Sequence, residues 1–288
     1  MAKAKQTNQK KATSTTQTTS VAKHEAPQTA LAALTNRGKL VTGFEEATSA
    51  AYAIPFLRIL QDLSPQVKSK MNGYIKGAKP GQIFNTASKD LAERIRVVPC
   101  YYQQSQIEWK PRAKAGGGGN GFVASHPANT PLIERVVRDE KTNKSILPNG
   151  NELMDTRSHY VLLVKEDGTT EGCLLPMSST SLKVSRNWMT QMKVACSPSR
   201  EFPEGLPMFA FSYELWSEEV SNDKGQWYQW VVGNKEMVDS VNVIKEAEAF
   251  ASAIAAGNKV KVDYNEMRDQ AVDQEDAPPA DLDNEIDA

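Results

Sequence analysis

Between residues 94 and 114 the chain gathers Arg94, Arg96, Tyr101, Tyr102, Trp109, Lys110, Arg112 and Lys114. Cations can track phosphates and exposed π-faces can take stacked bases, so this mixture suits the holding of a single nucleic-acid strand. In an alternating strand Trp109 and Pro111 face one side while Lys110 and Arg112 face the other. The glycine run that follows, GGGGNGF (116–122), is read as a mobile extension able to fold over a bound strand. The bland alternative makes Trp109 a core residue and the cations a solvated edge. A second set, Lys183, Arg186, Trp188 and Lys193, lies on a segment of helical spacing, where Leu182, Met189 and Met192 form the packing side. A third, Trp216, Trp227, Tyr228 and Trp230, is ringed by Glu214, Glu218, Glu219 and Asp223, which repel phosphate, and it ranks below the 94–114 stretch.

Residues that would do bond-making chemistry are sparse. The glycine run lacks the Gly-Lys-Ser/Thr ending of a phosphate-binding loop, and no strand–turn–helix context surrounds it. His126 and His159 stand far apart in sequence, and no Cys-x-x-Cys or His-x-x-x-His spacing supplies metal ligands. No Gly-x-Ser-x-Gly elbow occurs, and Cys100, at a strand end, reads as a buried thiol. The expectation is a non-catalytic protein with no cofactor and no metal.

These residues need elements to position them. ERIRVVP (93–99) and QIEWKPR (106–112) read as two strands separated by YYQQS. Tyr160–Val164 and Thr170–Leu175 flank Glu166-Asp167-Gly168, a hairpin signal. Met208–Trp216 alternates, with Phe209, Phe211, Tyr213 and Leu215 on one face, and returns through Gly225 as QWYQWVV (226–232). Ile54–Leu60 reads as an edge strand because of Pro55. Helical spacing predicts helices over Ser178–Ala195 and Glu236–Ala256, the second stopping at Gly257. The pattern implies a mainly β body (β-rich α+β) in the form of a small barrel or sandwich with two helices.

The 288 residues carry 34 Lys+Arg against 35 Asp+Glu, yet the charge is uneven along the chain. Residues 1–23 hold five lysines and no acid; residues 263–288 hold ten acids against Arg268, leaving about +3 on the body between. Thr-, Ser- and Gln-rich residues 1–42 and acidic residues 263–288 bury too little apolar area to offset ordering and are expected to be disordered. That leaves a body at 43–262. No apolar run approaches the roughly 18 residues of a membrane span, no secretory signal opens the chain, and three scattered cysteines argue for a reducing compartment.

An aromatic–basic β-rich body with an acidic tail resembles the single-stranded DNA-binding proteins of tailed bacteriophages. IPFLRILQDLSPQV (54–67), WKPR…GGGGNGF (109–122) and FAFSYELW…GQWYQWVV (209–232) are similar to segments of a phage family associated with replication genes. The resemblance implies an OB-like barrel with DNA over its strands, sequence-tolerant binding, a role in DNA replication or recombination, and residence in the host cytoplasm. It also implies a tail that contacts a replication polymerase or helicase through Asp281, Leu282, Asp283, Glu285, Ile286 and Asp287. Tails of that kind end on an aromatic or apolar residue, whereas this one ends Ile286-Asp287-Ala288; Leu282 and Ile286 are the anchors it offers. The tail can also occupy the basic groove until DNA displaces it. Two rival readings stand: a virion or scaffold protein, and a recombination nuclease whose acids converge only in the fold. Homo-oligomerisation is left open.

Overall fold

Leu57–Ile59 (β1), Ile83–Asn85 (β2) and Leu91–Ala92 (β3) form a small antiparallel sheet in the order β1-β2-β3. The edge strand expected at Ile54–Leu60 is there, trimmed to three residues. The structure is a computed structural model and describes Gly43, Glu46 and residues 52–111, 121–222, 225–257 and 262–267. All described residues from Tyr52 onward belong to the unit Thr48–Ala288.

From Arg94 to Trp109 the chain is one strand of 16 residues, β4. The sequence reading splits it in two at Tyr101–Ser105. Instead Cys100 is the extra residue of a bulge between Pro99 and Tyr101, so the strand bends beside a residue that has no amide hydrogen and then continues. The remaining strands are β5 (Phe122–Pro127), β6 (Val137–Arg138), β7 (Ser145–Ile146), β8 (Glu152–Val164) and β9 (Thr170–Ser178). Helix α1 (Leu182–Ala195) follows, then β10 (Phe211–Asn222), β11 (Gly225–Met237) and helix α2 (Val241–Ala255). Both expected hairpins form: β8–β9 turns through Gly168 at a φ of 81°, and β10–β11 turns at Gly225.

The eight strands β4 to β11 join in the order β11-β10-β4-β8-β7-β6, with β5 on β4 and β9 on β8. β8 runs along one side of β4, while β10 and β5 divide the other side between them. The sheet curls into a half-barrel, and the described residues are mainly β with two α-helices. Two of its edge strands are β9 and β11, and β1 reaches towards both. Leu174 of β9 donates to Pro55 O at 2.8 Å, and the Gln61 amide bonds the backbone of Tyr228 in β11.

The inner face packs Ile95, Val97, Val161, Cys173, Tyr213, Leu215 and Trp230 against Leu57 and Ile83 of the small sheet and against Trp188 and Met192 of α1. The outer face carries Val98, Cys100 and Leu162, which α2 covers with Val243 and Ala247. Helix α1 is preceded by a 3-10 turn at Ser179–Ser181, so it starts four residues later than the pattern predicts. Helix α2 also starts late, because β11 continues to Met237 and Ser240 Oγ caps the helix by accepting from Val243 N.

Part of the expected acidic tail is folded onto the body. Val262 and Met267 pack on the cluster of Ile54, Phe56, Tyr160 and Leu174. Tyr264 stacks on Phe122 at 4.7 Å and 11°, and Arg58 Nη1 donates to Glu266 O at 2.8 Å. The body therefore reaches Met267. Residues 1–42 and 268–288, the latter with all six expected partner-binding residues, lie outside the described residues. No described helix is long and apolar enough to cross a membrane.

Candidate nucleic-acid interface

Trp109 is 0% exposed, so its ring offers no face to a base. The strand ends at Trp109, and the side on which this residue lies is covered: Phe122 of the paired strand β5 meets it edge-on at 6.0 Å, and Tyr264 stacks on Phe122. Trp188 is likewise 1% exposed, stacked on His159 at 4.7 Å inside the half-barrel. Both tryptophans are core residues, which corrects their expected place on the surface.

The arginines of β4 face outward and are engaged there. Arg94 lies over the Trp216 ring at 4.5 Å and pairs with Glu214 at 3.6 Å, while Arg96 forms an ion pair with Glu236 and donates to Ser212 Oγ at 3.3 Å. Tyr102 accepts from Arg157 Nη1 at 3.0 Å, and Tyr101 leans edge-on against Tyr160 at 6.2 Å. Lys110 is exposed and closes the β4–β5 turn through its backbone N–H to Gly121 O at 2.7 Å. Arg112 and Lys114 lie outside the described residues. Strands β10 and β11 thus bring acids to the very arginines that the linear stretch offers to phosphate. In the aromatic hairpin Trp230 is buried, Tyr228 packs on Gly81, and the outward Trp216 is the ring beneath Arg94.

Exposed cations gather elsewhere. From Leu63 to Lys89 the sequence has five lysines and no acid, and from Gly172 to Arg200 it has four cations and no acid. Lys68, Lys70, Lys76 and Lys79 of the first stretch, and Lys183, Arg186 and Lys193 of the second, are exposed and form no ion pair among the described residues. Up to Gln82 the first stretch belongs to an ordered loop whose ends are tied, Leu60 N to Gln82 O at 2.8 Å and Gly81 N to Leu60 O at 2.7 Å. It carries Tyr74, 42% exposed.

Neighbouring residues of β11 hold the two stretches side by side. The Gln61 side chain bonds both N and O of Tyr228 at 2.9 Å, as a strand would, and Gln229 Nε2 donates to Thr180 O at 3.1 Å. Gly81 lets the loop close in: its φ is 85°, and a Cβ there would stand 2.7 Å from the Tyr228 ring. The ends of the lysine-bearing loop and the turn that opens α1 thus meet on neighbouring residues of β11. Lys183 and Arg186 were legible in the sequence; the loop was not, although its long acid-free run is a visible signal.

Two polar clusters have the chemistry of acids and bases. Glu108 accepts from Asn151 Nδ2 at 2.6 Å and Asn149 Nδ2 at 3.1 Å and bonds His126 Nε2 at 2.9 Å. The Asn151 hydrogen bond leads in holding its carboxyl below the usual range, helped by His126 and Asn149 against the cost of burial. His159 Nε2 and Ser185 Oγ share a hydrogen bond of 2.8 Å, and burial, with Arg157 nearby, pushes the imidazole down to about 3. A neutral histidine sealed beneath Trp188 reaches no substrate, so the pair serves the core. Among the described residues no three His, Cys, Asp or Glu side chains converge as a metal site.

The chain belongs to the Pam3 phage gp34-like protein family, whose profile matches residues 22–260. No curated protein and no solved structure matches it.

Proposed function

We propose that this phage-family protein is a non-catalytic single-stranded DNA-binding protein of replication or recombination, with the strand lying along the margin formed by the 61–82 loop, β11 and the start of α1. The observation that carries the reading is the joining of two acid-free cationic stretches at Tyr228 and Gln229. Single-strand binding needs cations that follow the backbone and an accessible ring for a base. Lys68, Lys70, Lys76, Lys79, Lys183 and Arg186 supply the first, and Tyr74 the second. The half-barrel would then be used as an OB-like platform, with its margin rather than β4 as the contact surface. The tail's acids would engage a replication polymerase or helicase.

The deciding experiment is a titration of labelled oligo-dT followed by anisotropy across a salt series. Contact with about 3–5 phosphates gives a log–log slope of about −2 to −4 for a single strand. Affinity that ignores salt, or no binding at low salt, overturns the proposal and favours a virion or scaffold role. Mg²⁺-dependent cutting of the oligonucleotide would instead reveal a nuclease. Tryptophan quenching does not report on Trp109 or Trp188, which are enclosed.

A further inference from the structure

A groove of about 430 Å³ lies between α1 and the β10–β11 pair, lined by Thr190, Val194 and Ala195 of the helix, Tyr213 of β10, and Val232, Asn234 and Lys235 of β11, the strand at the end of the sheet. Three observations make it more than a crease. β11 is the last strand of its sheet, and no backbone partner meets the outer edge at Trp230 or Val232 among the described residues. Tyr228 shows which way that edge points, since its N–H and C=O are held by Gln61 on the side away from β10, and alternate residues of a strand repeat the orientation. A bulge lies alongside: Asn234 has a φ of 44°, and the register shifts opposite Tyr213. Finally, Tyr213 lines the groove, is 1% exposed, and its hydroxyl has no hydrogen-bond partner. A buried hydroxyl without a partner is unfavourable, and an occupant that brings an acceptor to it relieves that cost.

An unpaired strand edge beside an apolar trough takes an extended segment, and the chain carries one of matching pattern. Asp281-Leu282-Asp283-Asn284-Glu285-Ile286-Asp287 alternates strictly. Extended, it sets Leu282, Asn284 and Ile286 on one face and four acids on the other. Val194, 71% exposed at the rim, and Val232 are apolar counterparts, while Lys193 and Lys235 are exposed cations on the same helix and strand. Leu282 is 15 residues beyond Met267, where the described body ends, a span of up to about 50 Å, against a radius of gyration near 17 Å for a domain of this size. We propose that residues 281–287 of this chain dock in the α1–β11 groove as an added strand, with Leu282 and Ile286 towards the trough and the acids towards Lys193 and Lys235. This is independent of whether the protein binds DNA.

The test is hydrogen exchange on the full chain, wild type against Leu282→Asp/Ile286→Asp. Docking predicts that the amides of Trp230 and Val232 exchange at least tenfold faster in the double variant, while those of β4 and β8 are unchanged. A tail held by charge alone predicts equal or slower exchange, since the variant is more acidic. Equal rates at Trp230 and Val232 in the two chains overturn the proposal, whether charge or another partner covers the groove. A second variant, Val194→Asp at the exposed rim on α1, leaves the tail and β11 intact and is expected to give the same acceleration of Trp230 and Val232; no change there would also count against docking.

Discussion

His159 shows how a residue that invites a catalytic reading ends as a stability device. Trp188, Tyr102 and Ser185 enclose it, and its pKa falls from 6.5 to about 3, first through burial and then through Arg157. In the unfolded chain the ring takes a proton near 6.5, so between there and about 3 the native state binds fewer protons than the unfolded one. Its contribution is whole above 6.5 and declines as pH falls, approaching about 1.4 kcal/mol per unit. Glu108, also held low, adds a loss only below the ordinary glutamate value of 4.5. Urea unfolding should therefore give a stability lower by about 1–2 kcal/mol at pH 5 than at pH 7, and His159→Gln should flatten that window while keeping a group to bond Ser185. A wild-type curve level from pH 7 to 5 would remove the histidine from the account. The tryptophans teach a related lesson. Alternation gives Trp109 a side of its strand but does not tell that Phe122 and Tyr264 cover that side, since the covering residues are 13 and 155 positions away in sequence.

At the scale of elements, local signals were read well and distant ones were not. Asp167-Gly168 and Gly225 announce their hairpins because a turn is written in adjacent residues. The length of β4 was hidden, since polar Tyr101–Ser105 reads as a break until β8 is seen pairing across it. The 61–82 loop was missed because it has no period; it is ordered by its tied ends and by Gln61, not by a repeating pattern. Its role in binding separates from that of β4 by substitution. Tyr74→Ala should weaken oligo-dT binding by about 1–3 kcal/mol, the worth of a stacked base, and Lys76→Ala or Lys79→Ala should each flatten the salt slope by somewhat less than one unit. Trp109→Ala should instead cost about 3–5 kcal/mol of folding stability and leave the affinity of the folded fraction unchanged. The reverse result, with Trp109 essential to binding and Tyr74 silent, would return the contact surface to β4.

Over the whole molecule the charge is arranged in sequence and in space. Residues 268–288 hold eight acids and Arg268, so a chain ending at Met267 changes from −1 to +6. The cut belongs after Met267 rather than before Asp263, because Tyr264 and Met267 pack on the body and removing them would uncover Phe122 and the Phe56 cluster. A tethered polyanion competes with DNA for the same cations at an effective concentration in the millimolar range. Truncation should therefore tighten oligo-dT binding at low salt, and the gain should shrink as the screening length falls towards about 8–10 Å. The Leu282→Asp/Ile286→Asp chain divides this effect into its parts. It keeps and extends the negative charge while losing the apolar anchors. If charge alone drives the competition, the variant binds DNA no better than the wild type; if docking in the α1–β11 groove holds the acids beside Lys193 and Lys235, on the same helix and strand as the binding margin, it binds nearly as well as the truncated chain. Curves for truncated and full-length protein that overlay at both low and high salt would show that the tail does not compete with DNA.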